Sequence, residues 1–240
     1  MDLREPQSTQ RHPWELARFA AIVDIAAEHL RAGQRILDFG AGDTWLARAL
    51  QQRFANYQLQ IDCVDSFGRS DDTDPKIRQL TAIPTGQRYD LVLLLDVLEH
   101  LADDQATLAR IIHDHAVPGA IVIVTLPAWP HLWSSHDVAL HHHRRYTAAT
   151  ARALVDRANL VLLRSGGWFY SLLLPRVASV LVEKFRPASV AVPHSARVIH
   201  PRLASIVGML LYADARLGTA LRRVVPWPGL SWWGVCQTPK

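Results

Sequence analysis

Sulfur holds little of this chain together. Its 240 residues include two cysteines, Cys63 and Cys236, each inside an apolar, strand-like run. There is no CxxC pair to start a zinc ribbon or a dithiol redox centre, and two buried free thiols in a reducing compartment are expected. Long apolar runs are also missing. The longest are broken by Pro175 and Arg176 or by Asp214, short of the roughly 20 residues a membrane span needs. The N-terminal stretch MDLREPQSTQRHPW has no apolar signal-peptide core. A cytoplasmic location is expected, with contact at the inner face of a membrane left open.

Negative charge is scarce in one region. Between Tyr170 and Leu230 eight Arg or Lys stand against two acids, although the whole chain carries only +4. The basic excess of the C-terminal third suits an anionic partner, lipid headgroup or phosphate, or an ordinary solvated face. Apolar residues make up 49% and charged residues 20%, which supports one well-buried core and excludes global disorder.

Helix and strand patterns alternate. Leu16, Phe19, Val23, Ala26 and Leu30 recur at helical spacing and predict a helix over 13–30, stopped by Gly33. Short apolar runs predict strands at 35–39, 58–64, 91–95, 120–125, 160–164 and 232–236, with helices at 45–50, 106–112 and 147–158 between them. Such alternation specifies a parallel α/β sheet. The segment 166–230 breaks it with two helices of wide apolar face, marked by Val177, Leu181 and Phe185 and then by Leu203, Ile206, Leu210, Leu217 and Leu221. We read one domain over 1–240 with 166–230 as a helical insertion or cap.

The stretch RILDFGAGDTW, Arg35 to Trp45, delivers a carboxylate and then two glycines between a strand and a helix. Glycines there let the backbone approach a ligand at the carboxyl edge of the sheet. The sixth position of a dinucleotide fingerprint is Gly or Ala for close packing. Here it is Trp45, which disfavours a nicotinamide cofactor, and no G-x-x-x-x-G-K-[ST] is present. The stretch resembles motif I of the class I S-adenosylmethionine-dependent methyltransferases, roughly D/E-x-G-x-G-x-G. Asp38, Gly40 and Gly42 match, and Thr44 replaces the third glycine. CVDSF ends the next strand in Asp65, and YDLVLLLDVLEHLAD resembles the fourth-strand motif of small-molecule enzymes related to the ubiquinone pathway, where D/E-V-L-E-H is common.

The resemblance implies a Rossmann-like fold, a mostly parallel seven-stranded sheet with helices on both faces, and S-adenosylmethionine as cofactor. It further implies that Gly40, Gly42 and Thr44 form the turn at the methionine end, that Asp38 orients it or reaches the cofactor amino group through water, and that Asp65 holds the ribose. Phe67 is a candidate for stacking on adenine or for plain core packing. Asp96 and Val97 border the methionine moiety. The adenine acid frequent in the family has no counterpart in QLTAIP, Gln79 to Pro84. A catalytically inactive methyltransferase-fold binding module is the alternative to an enzyme.

Four histidines crowd HDVALHHHRRYT, His136 to Thr147. This stretch leaves the carboxyl edge of the fifth strand, the region that commonly forms the acceptor pocket in the family, and a subgroup shares its H-x-R-R-Y-T. The residue-level expectation is a pocket in which Arg144 or Arg145 pairs an anionic group, His136 or His142 is the base, and Tyr146 donates a hydrogen bond. His100 is a further base candidate or a helix cap. A structural alternative has Thr147 capping the next helix and an arginine bound to Asp137. Consecutive His141, His142 and His143 cannot all turn toward one ion, so no metal site is expected, nor nucleic-acid binding. The expected acceptor is small or lipid-linked, with oxygen the expected nucleophile, and 169–223 is a candidate for peripheral membrane contact, an acceptor cover or a subunit contact.

Overall fold

A strand that is apolar at nearly every position needs both faces covered, and Tyr89–Leu95 has that cover. In the computed structural model, which describes residues 11–66, 74–185, 200–225 and 227–240, it is β4, the middle of a seven-stranded sheet. The sheet order is β3-β2-β1-β4-β5-β7-β6, with β1 Arg35–Phe39, β2 Gln60–Val64, β3 Ile77–Leu80, β5 Ala116–Pro127, β6 Val161–Trp168 and β7 Ser231–Gln237. Strands β3 to β5 pair in parallel, and β7 runs antiparallel between β5 and β6. Strand order reverses at the β1–β4 pair. Ligands of open α/β sheets bind at the carboxyl ends beside such a reversal.

Helices α1 Pro13–Ala27, α2 Trp45–Arg53 and α7 Pro201–Ala220 cover one face; α3 Asp104–His115 and α5 Ala148–Arg157 cover the other. Successive strand residues point to opposite faces, so Trp233 joins Ile22, Leu50 and Leu211 on the first face while Trp232 joins Leu108 and Leu154 on the second. The helix ends follow local chemistry. His12 accepts from the Trp14 amide with Pro13 at the first helical position, Asp103 accepts from Ala106, and Thr147 and Thr150 form a reciprocal cap on α5. That cap matches the structural alternative for Thr147.

The expected helix over 13–30 ends at Ala27, three residues early, because Glu28 already serves as its cap. β6 continues past Arg164 through Trp168, since Gly166 and Gly167 pair with Trp233 and Trp232. The helical segment therefore begins beyond residue 168, with α6 Leu173–Phe185 and α7. Residues 186–199 of the expected insertion lie outside the described residues. α7 packs on α1 and β6. A β-carbon at Gly218 would stand 2.4 Å from the Gly167 carbonyl, so only glycine admits that approach. The buried stripe of α7 holds Leu211, Ala215 and Gly218. The leucine stripe read from the sequence faces outward instead: Leu203, Ile206, Leu210 and Leu217 are 48–65% exposed, and Phe185 on α6 is 85% exposed.

Candidate active site

The β1 turn is shaped by contacts that only glycine allows. Gly40 has φ +75°, and its amide donates to the Val64 carbonyl at 2.8 Å. A β-carbon there would lie 2.4 Å from Val97 Cγ2. The β1 turn and the end of β4 thus touch. Gly42 has φ +61°, with no heavy atom within 4 Å of where its β-carbon would stand. Its amide donates to Asp65 Oδ2 at 2.8 Å, which ties the ends of β1 and β2. Asp38 is buried at the strand end. Burial raises its pKa to about 7, with Arg18 opposing and Asp65 adding to the rise. Thr44 is buried, but its hydroxyl accepts from Arg48 Nε and Nη2 at 3.0 and 2.8 Å, so it stands as a packing residue of α2 rather than facing the turn. Trp45 stacks on Phe19 at 4.9 Å, filling the space a dinucleotide fold keeps for its third glycine. Phe67 lies outside the described residues.

Asp96 sits in the left-handed region at φ +52°. It accepts from the Thr125 hydroxyl at 2.9 Å and is paired with Arg18 of α1. Sequence reading missed Arg18. Its guanidinium lies over the rings of Trp14 (4.8 Å) and Phe19 (5.4 Å), and its buried Nε has no partner among the described residues. The available signal was a basic residue one helical turn after Trp14, on the face that α1 turns toward the strand ends.

The loop after β5 folds around Asp137, which is fully buried. Asp137 Oδ1 receives His142 Nδ1 at 3.0 Å and Arg145 Nε at 2.6 Å; Oδ2 receives the Ser134 amide at 3.0 Å and Arg176 Nη2 at 2.9 Å. Burial alone would raise its pKa, but the hydrogen bonds from His142 and Arg145 hold it well below the usual carboxylate range. Asp104 is the second hub. It receives Arg144 Nη1 at 2.7 Å and the Tyr146 hydroxyl at 2.8 Å, and Arg144 also donates to the carbonyls of Leu101 and Ala102. Burial, then the bond to Asp104, drives the Tyr146 pKa upward. The pocket roles expected for Arg144, Arg145 and Tyr146 are therefore corrected. Their donors are spent on internal carboxylates and carbonyls, and they fasten the loop to α3 and to the Asp137 hub.

The histidines divide. His136 is exposed near Arg176, and the packing around it together with that cation lowers its pKa. His142 meets His100 edge to face, ring centroids 4.7 Å apart at 82°. The His143 amide donates to the Glu99 carbonyl at 2.7 Å, which pins this loop onto the end of β4. Glu99 itself was not singled out in the sequence. It is 0% exposed, and neither carboxylate oxygen has a hydrogen-bond partner among the described residues. Burial and then the charge of Asp96 raise its pKa well above the ordinary value.

The family model described as a methyltransferase domain matches residues 11–165. The chain belongs to that methyltransferase-domain family. Among solved structures it is similar to an S-adenosylmethionine-dependent methyltransferase from Archaeoglobus fulgidus, with TM-score 0.55, 10% identity, and coverage of 92% of this chain and 94% of that one. It is also similar to phosphoethanolamine N-methyltransferase 2 of Haemonchus contortus in complex with phosphomonomethylethanolamine and S-adenosylhomocysteine. There the TM-score is 0.58 at 14% identity, over 93% of this chain and 53% of that one, so the chain spans about half of that enzyme. A comparison with curated proteins finds no match.

The methyltransferase uses S-adenosylmethionine as its cofactor. The cofactor carries an ammonium and a carboxylate on its methionine end and a diol on its ribose. Asp96 would offer a carboxylate at the β4 end, Asp38 a carboxyl group with its pKa raised to about 7 at the β1 end, and Arg18 Nε a donor, with Asp65 at the β2 end. The open space over Gly42 admits a ligand against the backbone. These residues fit the cofactor. Bound there, it would supply an activated methyl group, and the protein's part would be to hold the nucleophile in line with it.

Proposed function

We propose that this methyltransferase transfers a methyl group to an oxygen atom of a small acceptor bearing an apolar tail, at the surface of an anionic membrane. The observation that carries the oxygen assignment is the His100–His142 pair at the carboxyl end of β4, one turn beyond Asp96 and Val97. A hydroxyl acceptor must lose its proton as the new bond forms, and a neutral imidazole is the side chain suited to take it near pH 7. Partial burial and the neighbouring His142 lower the His100 pKa, which keeps His100 neutral there. Asp137 orients His142 from behind. Its carboxylate is held ionised and can only accept, so the His142 Nδ1 carries a hydrogen and Nε2 is the atom turned away from Asp137.

The apolar tail and membrane assignment rests on α6 and α7. Their outward leucine, isoleucine, valine and phenylalanine side chains stand beside the exposed Lys184, Arg202, Arg216 and Arg223. Apolar residues flanked by cations suit the boundary between acyl chains and anionic headgroups. No helix among the described residues is long and apolar enough to cross a membrane. The test is a turnover assay against hydroxyl acceptors with and without an alkyl or isoprenoid chain, run with the wild type and His142→Ala. Turnover on the chain-bearing acceptor, lost in His142→Ala, supports the reading. Full turnover in His142→Ala overturns it.

A further inference from the structure

We infer that Glu99, His100 and His142 form a binding site for a divalent transition-metal ion, of the zinc class, beside the methyl-transfer site. One ligand atom from each residue comes together, all within 4.8 Å of one another. Ligands of one ion at about 2.0–2.2 Å lie somewhat closer than this, so small side-chain rotations complete the site.

Three independent features point to an ion. First, Glu99 is wholly buried with both oxygens unpartnered among the described residues. A buried carboxyl group left without partners is costly, and a bound ion is one of the few arrangements that offsets it. Second, His142 is already prepared as a ligand. Asp137 Oδ1 receives its Nδ1 at 3.0 Å, which fixes the tautomer and leaves Nε2 to donate its lone pair. A carboxylate behind a histidine is the usual support of a metal-binding imidazole. Third, the backbone holds the three groups together. Glu99 and His100 leave the same short turn after β4, and the His143 amide to Glu99 carbonyl bond at 2.7 Å ties the histidine loop to that turn.

Two imidazoles and one carboxylate favour zinc, cobalt or iron over magnesium, calcium or manganese, which prefer oxygen shells. Three protein ligands also leave coordination positions open. This inference rests on the oxygen-acceptor reading and revises its base: with the ion bound, His100 and His142 are ligands rather than proton acceptors, and the ion activates the hydroxyl. An acceptor hydroxyl in an open position would have its pKa lowered by the ion. Its proton leaves to solvent, its oxygen lone pair forms the bond to the methyl carbon, and the carbon–sulfur bonding pair stays on sulfur. Charge and atoms balance without an oxidant. The acceptor class implied is a hydroxyl compound able to reach a metal, such as a phenol or vicinal diol. The sequence expectation of no metal site considered only the histidine run. The run supplies one ligand, and the other two come from the β4 turn.

The test reads the metal without cofactor or acceptor. Full-length protein stripped with a chelator is titrated with Zn2+ by calorimetry and with Co2+ by visible absorption. We expect one ion per chain and the absorption bands of cobalt bound by nitrogen and oxygen. Glu99→Gln keeps the side-chain size and removes the carboxylate ligand, and circular dichroism checks that it folds. It and the exposed-side His100→Ala each weaken binding by roughly 10–100-fold or more. The exposed His141→Ala leaves binding unchanged. No binding by folded wild type, or equal loss in His141→Ala, overturns the site. S-adenosylmethionine affinity, measured separately on the same samples, shows whether the methyltransferase reading stands when the metal site fails.

Discussion

Replacing Gly40 by alanine perturbs the cofactor turn in a way whose size follows from two geometric features. At φ +75° a β-carbon is forced into the left-handed region, at about 1–2 kcal/mol. It also meets Val97 Cγ2 at 2.4 Å and Cβ at 2.9 Å, an overpacking of about 1–3 kcal/mol. The sum is about 2–5 kcal/mol, and for a chain of this length each kcal/mol lowers Tm by roughly 2–4 °C. Gly42→Ala is the control. It carries the same backbone strain at φ +61° but meets nothing, so its stability loss is about 1–2 kcal/mol. Its added methyl group enters the space assigned to the cofactor and weakens S-adenosylmethionine binding at least about tenfold, or 1.4 kcal/mol. A double-mutant cycle separates the causes. Gly40→Ala combined with Val97→Ala recovers about 1–3 kcal/mol of coupling, and Gly42→Ala with Val97→Ala recovers none. Urea unfolding of the variants reads this directly. Gly40→Ala as mild as Gly42→Ala, with no coupling to Val97, refutes the claim that the β1 turn is packed on the end of β4.

Other outcomes follow from the buried charges and the outward stripe. Asp38 titrates near pH 7 in the fold against 3.8 ordinarily. Between those values the unfolded chain binds fewer protons, so the Asp38 contribution to stability falls as pH rises toward 7 and levels off above it; Asp38→Asn should flatten that part of the curve. Asp137 is shifted the other way. Its contribution is present above the ordinary carboxylate range and is lost as pH falls through its depressed pKa. Asp137→Ala strands the buried Arg145 and Arg176 without their carboxylate, a loss of about 3–5 kcal/mol seen as an earlier urea midpoint. Vesicles containing anionic lipid should float with the wild type and not with a Leu181→Asp, Phe185→Asp double variant; equal flotation of both would remove α6 from any membrane role.

The fold was legible where one local rule decided it. The apolar runs of β1, β4 and β5 required two covered faces, and the glycine turn required a strand before it and a helix after it. Reading was poorer where distant partners decide. The end of β6 depends on Gly166 and Gly167 pairing with Trp233 and Trp232, which are more than sixty residues away. The leucine stripe of α7 has the same spacing whether it faces a core or solvent; the contact of Gly218 with Gly167 sets the rotation. At the site, Asp38, Gly40, Gly42 and Asp65 were readable because they are close in sequence or follow a known order. Arg18 was not, because its partner Asp96 lies seventy-eight residues on. Arg144, Arg145 and Tyr146 were read as pocket residues because sequence reveals that a donor exists and not that Asp104 and Asp137 already occupy it.

The most direct test is isothermal titration of S-adenosylmethionine and S-adenosylhomocysteine into the purified protein and its Asp65→Ala variant, with NAD as the control ligand. The account predicts saturable binding of both adenosyl compounds by the wild type, its loss in a folded Asp65→Ala, and no heat from NAD. A folded wild type that ignores S-adenosylmethionine, or binds NAD in its place, contradicts it.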